Sequence, residues 1–191
     1  MQTSPYHLLP KILDVVAGLK PRQILDIGCG DGFIGLAIRR YVGNEIIIDG
    51  VDSSLRDSAW IRSTYRHLEG SDIRQENITQ GPSYDLVLLL ETLHGINKRE
   101  GKKLLKDLIA KHHGVLVSAS RDQWDKGDFA ELGNVLFLLD AERNLVFISK
   151  DVNAIKTLRK NRITTTLIRG AKTSKTMTRL LRKVTSVKRK K

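Results

Sequence analysis

Residues 24–35 read ILDIGCGDGFIG, and Gly30, Gly32 and Gly35 within them satisfy G-x-G-x-x-G. An apolar strand-like run, a glycine turn and a helix-like run, in that order, form the setting in which a glycine pattern carries meaning, because the backbone must turn sharply and let a ligand come close. The pattern leaves a choice between a loop that cradles a pyrophosphate and one built for a ligand without phosphate. Asp26 precedes the first glycine and Asp31 sits in the turn, near where the pyrophosphate of a dinucleotide would meet the helix N-terminus. Two carboxylates there repel a diphosphate and favour a ligand whose approaching end is cationic.

Outward from this stretch the chain alternates between the two regular structures. Leu8, Leu9, Ile12, Leu13, Val16 and Leu19 recur at helical spacing, and Pro21 stops that helix before a strand over 22–28. Beyond the glycines the pattern predicts a helix over 33–41, a strand over 45–51, a capped helix over 53–62 and a weak strand over 65–71. A strong strand over 84–90, a helix over 98–112 and a strand over 114–118 follow. This rhythm predicts an α/β fold: a doubly wound, mostly parallel sheet with helices on both faces. After Ser120 a short helix is expected near 128–132, then two apolar runs, 135–139 and 145–149, close enough for a terminal antiparallel hairpin. The segment ITTTLIRG (163–170) is a further candidate strand, and residues 171–191 read as a basic helix with a lysine-rich, disordered tail.

The chain has 191 residues, the size of one domain, and a net charge of +12. That charge is unevenly placed. From Val152 onward there are 14 Lys and Arg and no acid, which leaves 33 − 14 = 19 basic against 21 acidic residues in 1–151, net −2. The expected organisation is a near-neutral body over 1–151 and a cationic segment over 152–191, suited to holding a polyanion against a site on the body. Cys29 is the one cysteine, so no internal disulfide or cysteine metal cage is expected, and no metal site is predicted. The sequence begins without a signal-peptide pattern and has no apolar run near the ~20 residues that span a bilayer, so the expected compartment is cytoplasmic.

S-adenosylmethionine (SAM) has no phosphate and carries a cationic amino group and a sulfonium, so acids around its methionine end are an asset. Asp52 closes the second strand, where a carboxylate can accept both ribose hydroxyls, a demand that SAM and NAD sites share. With these residues the sequence resembles the class I SAM-dependent methyltransferases. ILDIGCGDGFIG matches their glycine-rich first motif in the form D-x-G-x-G-x-G at Asp26, Gly28, Gly30 and Gly32; VDSS (51–54) matches their ribose-binding acid, and YDLVLLLETLHGI (84–96) the fourth strand and following loop. The resemblance runs from about Leu19 to Ser118 and implies a seven-stranded sheet, with SAM bound across the C-terminal ends of the first strands. The implied cofactor-binding set is Asp26, Gly28, Cys29, Gly30, Asp31 and Gly32 around the methionine part, Asp52 and Ser53 at the ribose, and Asp72 at the adenine. A different register of the third strand passes the adenine role to Glu76 or Asn77. Each residue also has a plainer reading: the glycines as a tight turn, Asp52 as the cap of a helix from Ser53, Asp72 as a solvated loop acid and Cys29 as packing.

Methyl transfer is an in-line displacement at a carbon already activated by the sulfonium, so alignment and exclusion of water matter more than a nucleophilic side chain. A base helps when the acceptor is a hydroxyl or a protonated amine, and the place for one is the loop after the fourth strand, ETLHGI. Glu91 and His94 are the catalytic candidates there, against capping or packing roles. That loop contains neither D-P-P-Y nor N-P-P-Y, the motifs for exocyclic base amines, and no cysteine for pyrimidine carbon methylation. Asp85 reads as structural, and Trp124 either faces the rim or packs under the hairpin. RNA is the expected acceptor and partner through the basic segment. The competing readings are a protein or small-molecule acceptor, a non-catalytic SAM-binding subunit, and an NAD(P) oxidoreductase.

Overall fold

A computed structural model of the chain describes residues 5–55, 59–72, 81–138 and 143–161. Seven strands form one sheet in the order β3-β2-β1-β4-β5-β7-β6. They are β1 (Gln23–Ile27), β2 (Ile47–Val51), β3 (His67–Glu69), β4 (Leu86–Leu90), β5 (Gly114–Ser120), β6 (Asn134–Leu138) and β7 (Arg143–Ser149). The first five run parallel to one another, whereas β7 lies antiparallel between β5 and β6. The mostly parallel sheet and the terminal hairpin are therefore as the alternation predicts. The hairpin folds its second strand inward, which leaves β6 at the edge.

Period-two side-chain alternation divides the strands between two cores. Ile24, Leu86, Leu88, Leu116, Leu145 and Phe147 face one side, while Leu25, Ile27, Val87, Leu89, Val117 and Val146 face the other. Burial on both faces explains why β4 can be LVLLL without a polar residue. The first core is covered by α1 (Leu9–Leu19), α2 (Phe33–Tyr41), α3 (Ala59–Thr64) and α6 (Val152–Asn161); the second by α4 (Lys98–Lys111) and α5 (Lys126–Ala130).

The helix ends follow from local chemistry. The first helix closes at Lys20 in the left-handed region, whose N–H donates to the Val16 carbonyl, just before Pro21. The N-cap of α4 is Asn97, whose side chain accepts from the Glu100 N–H at 3.0 Å. Asp125 and Asp128 form a reciprocal capping box at α5, which places that helix slightly earlier than expected. The basic segment begins as a helix: α6 packs against α1 and lends Ile155 and Leu158 to the first core. The expected strand over 163–170 and basic helix over 171–191 lie outside the described residues.

One local expectation is corrected, and one open alternative is decided. The helix expected from Ser53 does not begin there: residues 53–54 form a turn, because the Asp52 carboxylate accepts from the Ser54 N–H at 2.7 Å and holds the chain in an Asx turn, and α3 is described over Ala59–Thr64. Trp124 does not face the rim. It is buried against Phe129 with ring centroids 5.3 Å apart, and α4 admits it only because residue 101 is glycine: a Cβ there would come within 2.7 Å of the indole.

Candidate functional site

The C-terminal ends of β1, β2 and β4 converge on the glycine turn. Gly28 and Cys29 donate their N–H groups to the Val51 carbonyl, which folds the turn back over the end of β2. Gly28, Gly30 and Gly32 have φ values of +77°, +56° and +72°, conformations that side chains strain to adopt. Their surroundings differ. A Cβ on Gly28 would meet Thr92 Oγ1 at 2.6 Å, and one on Gly32 would meet Ile61 at 2.7 Å. A Cβ on Gly30 would find nothing closer than 4.0 Å. The turn reading thus accounts for Gly28 and Gly32 by packing, while Gly30 presents bare backbone on an open side.

Asp26, near the end of β1, is 2% exposed and accepts a 2.6 Å hydrogen bond from the Tyr65 hydroxyl. Burial pushes its carboxyl up to about 6, against the lowering effect of the Tyr65 bond, and the negative Asp52 and Asp31 add to the rise. No cation among the described residues offsets this charge. Tyr65 was not foreseen from the sequence, yet it shapes the whole corner: Cβ atoms on Gly35 and Gly50 would approach its ring or hydroxyl within 2.6 and 2.8 Å. The signal was three glycines, 32, 35 and 50, vacating one volume, and it becomes readable only once β1 and β2 are in register.

Asp52 lies just past β2 and is partly exposed; its Oδ2 accepts from the Gly30 N–H at 2.8 Å. Ser53 is exposed in the adjoining turn. Asp31 accepts from the Tyr6 hydroxyl at 2.8 Å and from the Phe33 N–H at 3.2 Å, so it braces the turn that leads into α2 and ties the N-terminal turn to the loop; Tyr6 and Phe33 meet edge to face at 4.5 Å. Cys29 is buried, and burial together with Asp26 and Asp52 pushes its thiol up, which keeps it protonated and inert. Asp72 follows β3 on the same edge and is partly exposed, whereas Glu76 and Asn77 lie outside the described residues.

The catalytic candidates are placed differently from each other. Glu91 ends β4 with φ +57°, and both carboxylate oxygens are engaged: Oε1 accepts from Ser118 Oγ at 2.8 Å and Oε2 pairs with Arg143 Nη1 at 2.6 Å. Ser118 Oγ in turn accepts the Glu91 N–H at 2.8 Å, so β4, β5 and β7 are joined at this point. His94 is exposed in a short 3-10 turn, Leu93–Gly95, beyond it. Ser118, Arg143 and Thr92, whose hydroxyl lies 3.1 Å from the Ile27 carbonyl, are further parts of the rim that the sequence pattern did not mark. The described residues hold no cluster of His, Cys, Asp or Glu able to take a metal ion, and none of their helices is long and apolar enough to cross a membrane.

The fold has close counterparts among solved structures. An O-methyltransferase family protein from Burkholderia thailandensis aligns over 77% of this chain and 56% of its own, with a TM-score of 0.63 and 12% identity. The bifunctional kinase-methyltransferase WbdD aligns over 78% of this chain and 40% of its own (TM-score 0.60, 18% identity). Magnesium protoporphyrin IX methyltransferase from Synechocystis PCC 6803, crystallised with bound SAM, covers 75% of this chain and 79% of its own (TM-score 0.57, 14% identity). The chain therefore has the seven-stranded class I methyltransferase fold. No family model matches it. A curated tRNA1(Val) (adenine(37)-N6)-methyltransferase from Yersinia enterocolitica is 33% identical over 79 residues, covering 36% of this chain and 31% of that protein's length.

Proposed function

We propose that this chain is a SAM-dependent methyltransferase acting on RNA. The observation that carries the cofactor assignment is Asp26, a carboxylate buried under the glycine turn with no cation beside it among the described residues, flanked by two further acids. SAM supplies a methyl group on a sulfonium and an amino group of the sign that this corner lacks. The residues fit it: Asp26 holds the amino group, Gly30 lets the backbone come close, and Asp52 accepts from the ribose hydroxyls. Asp72 accepts from the adenine amino group, and Cys29 and Ser53 line the walls without chemistry. Asp31 stands in the turn where a dinucleotide's pyrophosphate would meet the N-terminus of α2, which argues against NAD(P).

In such a reaction the chain's own part is to align donor and acceptor and to keep water out. Glu91 would have to release Arg143 and Ser118 before taking a proton, so its part is to hold the rim. His94, exposed on the loop that follows β4, is the group able to accept a proton from a hydroxyl or an ammonium acceptor. Support for RNA comes from the cationic 152–191 segment and from the tRNA named by the curated relative. That relative's base-amine chemistry is not carried over, because the loop reads ETLH in place of D-P-P-Y or N-P-P-Y.

Calorimetric titration with SAM, S-adenosylhomocysteine and NAD tests the cofactor. Saturable binding of the first two without NAD is expected, and binding of NAD alone overturns the assignment. Transfer of labelled methyl groups to RNA pools then tests the acceptor, and His94→Ala turning over at the unchanged rate across pH would remove its role as base.

A further inference from the structure

Helix α4 carries six basic residues in fourteen, KREGKKLLKDLIAK, against two acids, Glu100 and Asp107. Its buried positions, Gly101, Leu105, Leu108 and Ile109, all face the second core. The remaining surface is mostly basic, with Glu100 and Asp107 exposed on it: Lys98, Arg99, Lys102, Lys103 and Lys106, with Asp107, line one concavity of about 620 Å³ along the helix. These cations divide into two kinds. Lys98 and Lys102 bind Asp128 at 2.6 and 3.1 Å, and Lys102 also binds Glu131 at 3.3 Å, so they fasten α4 to α5. Burial would raise the Asp128 carboxyl, but Lys98, the Asp125 N–H and Lys102 hold it down at about 2, so these pairs persist across ordinary pH. Arg99, Lys103 and Lys106 are exposed, and none of the three has an ion pair among the described residues.

Like charges four residues apart oppose helix formation; Asp128 offsets the Lys98–Lys102 pair, whereas Arg99–Lys103 has no such bridge among the described residues. An anionic partner would relieve the repulsion. Arg99 and Lys103 stand about 6 Å apart along the axis, a spacing comparable to that of neighbouring phosphates on a strand. The helix also starts shortly after the ETLHGI loop, so its first cations stand past the C-terminal end of β4, the strand next to β1 in the sheet. Its apolar residues are spent on the core, which leaves no face to insert into a membrane.

From this arrangement we propose that the Arg99, Lys103 and Lys106 face of α4 is a phosphate-binding track for single-stranded RNA, leading the strand to the rim. It rests on the RNA reading above and is separate from the 152–191 segment, which begins on the opposite face of the sheet. The track is read by titrating a fluorescein-labelled single-stranded RNA of about 20 nucleotides into full-length protein at several salt concentrations. Variants are Arg99→Glu/Lys103→Glu/Lys106→Glu and the corresponding Gln triple. The Gln triple should flatten the slope of log K against log salt by about 2, from three lost contacts at about 0.7 each. The Glu triple should weaken binding at least tenfold at moderate salt. Unchanged affinity and slope in both triples, or wild-type protein that binds no RNA, overturns the track, as does loss of binding in the triples only to phosphatidylserine vesicles. S-adenosylhomocysteine titration of the same samples separates the two ideas: α4-dependent RNA binding without cofactor binding sinks the methyltransferase reading and leaves the track standing.

Discussion

Two buried aspartates occupy neighbouring positions on adjacent strands and have opposite fates. Asp26 on β1 pairs in register with Gly50, one residue after Asp49 on β2, and the two residues are 2% and 3% exposed. Each accepts a hydrogen bond from a tyrosine hydroxyl, Tyr65 at 2.6 Å and Tyr84 at 2.9 Å. Asp49 also has the Arg66 guanidinium, with Nε at 3.0 Å from one oxygen and Nη2 on the other. Asp26 has no such partner among the described residues, and its carboxyl is pushed up to about 6, first by burial. A buried acid with its cation supplied by the chain belongs to the scaffold. One without a cation, beside a turn with an open glycine, marks where a cationic ligand is expected.

The sharpest way to break this comparison is to neutralise Asp26. Asp26→Asn keeps the shape and an acceptor for Tyr65 but removes the charge. Affinity for S-adenosylhomocysteine should fall about 100-fold, the loss expected of a buried charged hydrogen bond. Above pH 6 the fold should gain up to about 3 kcal/mol, since a carboxyl raised from 3.8 to about 6 is that much harder to ionise in the folded state. Isothermal titration and urea unfolding read the two effects; a destabilised variant with normal affinity would make Asp26 a structural residue like Asp49. The counterpart is Arg66→Met, which strands the Asp49 carboxylate. With Arg66 half exposed, a loss of about 2 kcal/mol is expected without change in affinity.

Acidification sharpens the same contrast. Asp26 titrates higher when folded than unfolded, so its contribution is fully present below about 4 and lost as pH rises through 6. His112, buried after α4, does the opposite. Burial, with Lys111, His113 and Lys150 nearby, lowers it from 6.5 to about 4, so its contribution is present above 6.5 and lost as pH falls towards 4. Its Nδ1 accepts the Tyr84 N–H at 3.1 Å, which fixes the neutral tautomer. The two contributions offset each other between pH 4 and 6. In Asp26→Asn the offset is gone, and unfolding free energy should drop by about 2 kcal/mol from pH 6.5 to 4 while the wild type stays nearly level. An equal slope in both proteins would contradict the raised Asp26 carboxyl. Ligand affinity of the wild type should also weaken below about pH 6, as Asp26 takes up its proton.

The sheet was legible because periodicity is local: β1, β2, β4 and β5 each announce themselves as an apolar run between turn residues. The hairpin strands were legible too, but the insertion of β7 beside β5 depends on pairing across the sheet. Asp26, Asp52 and the glycines could be read because they cluster in the chain around one turn. Tyr65, Tyr6, Ser118 and Arg143 could not, since they reach the rim from 25 or more residues away. Glu91 shows the cost of that blindness: read alone it is an acid at a strand end, but in the fold both oxygens are already occupied. Trp124 was left between two places for a related reason, as its pocket is made by the absence of a side chain at Gly101, across the loop on α4.

The smallest effect tests the loop above Asp26, where Gly28 and Gly30 look alike in sequence. Gly28→Ala places a methyl group 2.6 Å from Thr92 Oγ1 at a φ of +77°, so strain and collision both act on the fold. Gly30→Ala meets open space and bears only the left-handed backbone, about 1 kcal/mol. If Gly30 is the point where backbone and SAM approach, its alanine variant should unfold close to the wild type and yet bind S-adenosylhomocysteine several-fold more weakly, the new methyl group standing where the ligand would lie. Gly28→Ala should lose more stability, and any change in its affinity should follow from that loss. Equal affinity for Gly30→Ala and wild type would reduce the glycine pattern to a tight turn, and Asp26 would have to carry the cofactor assignment without it.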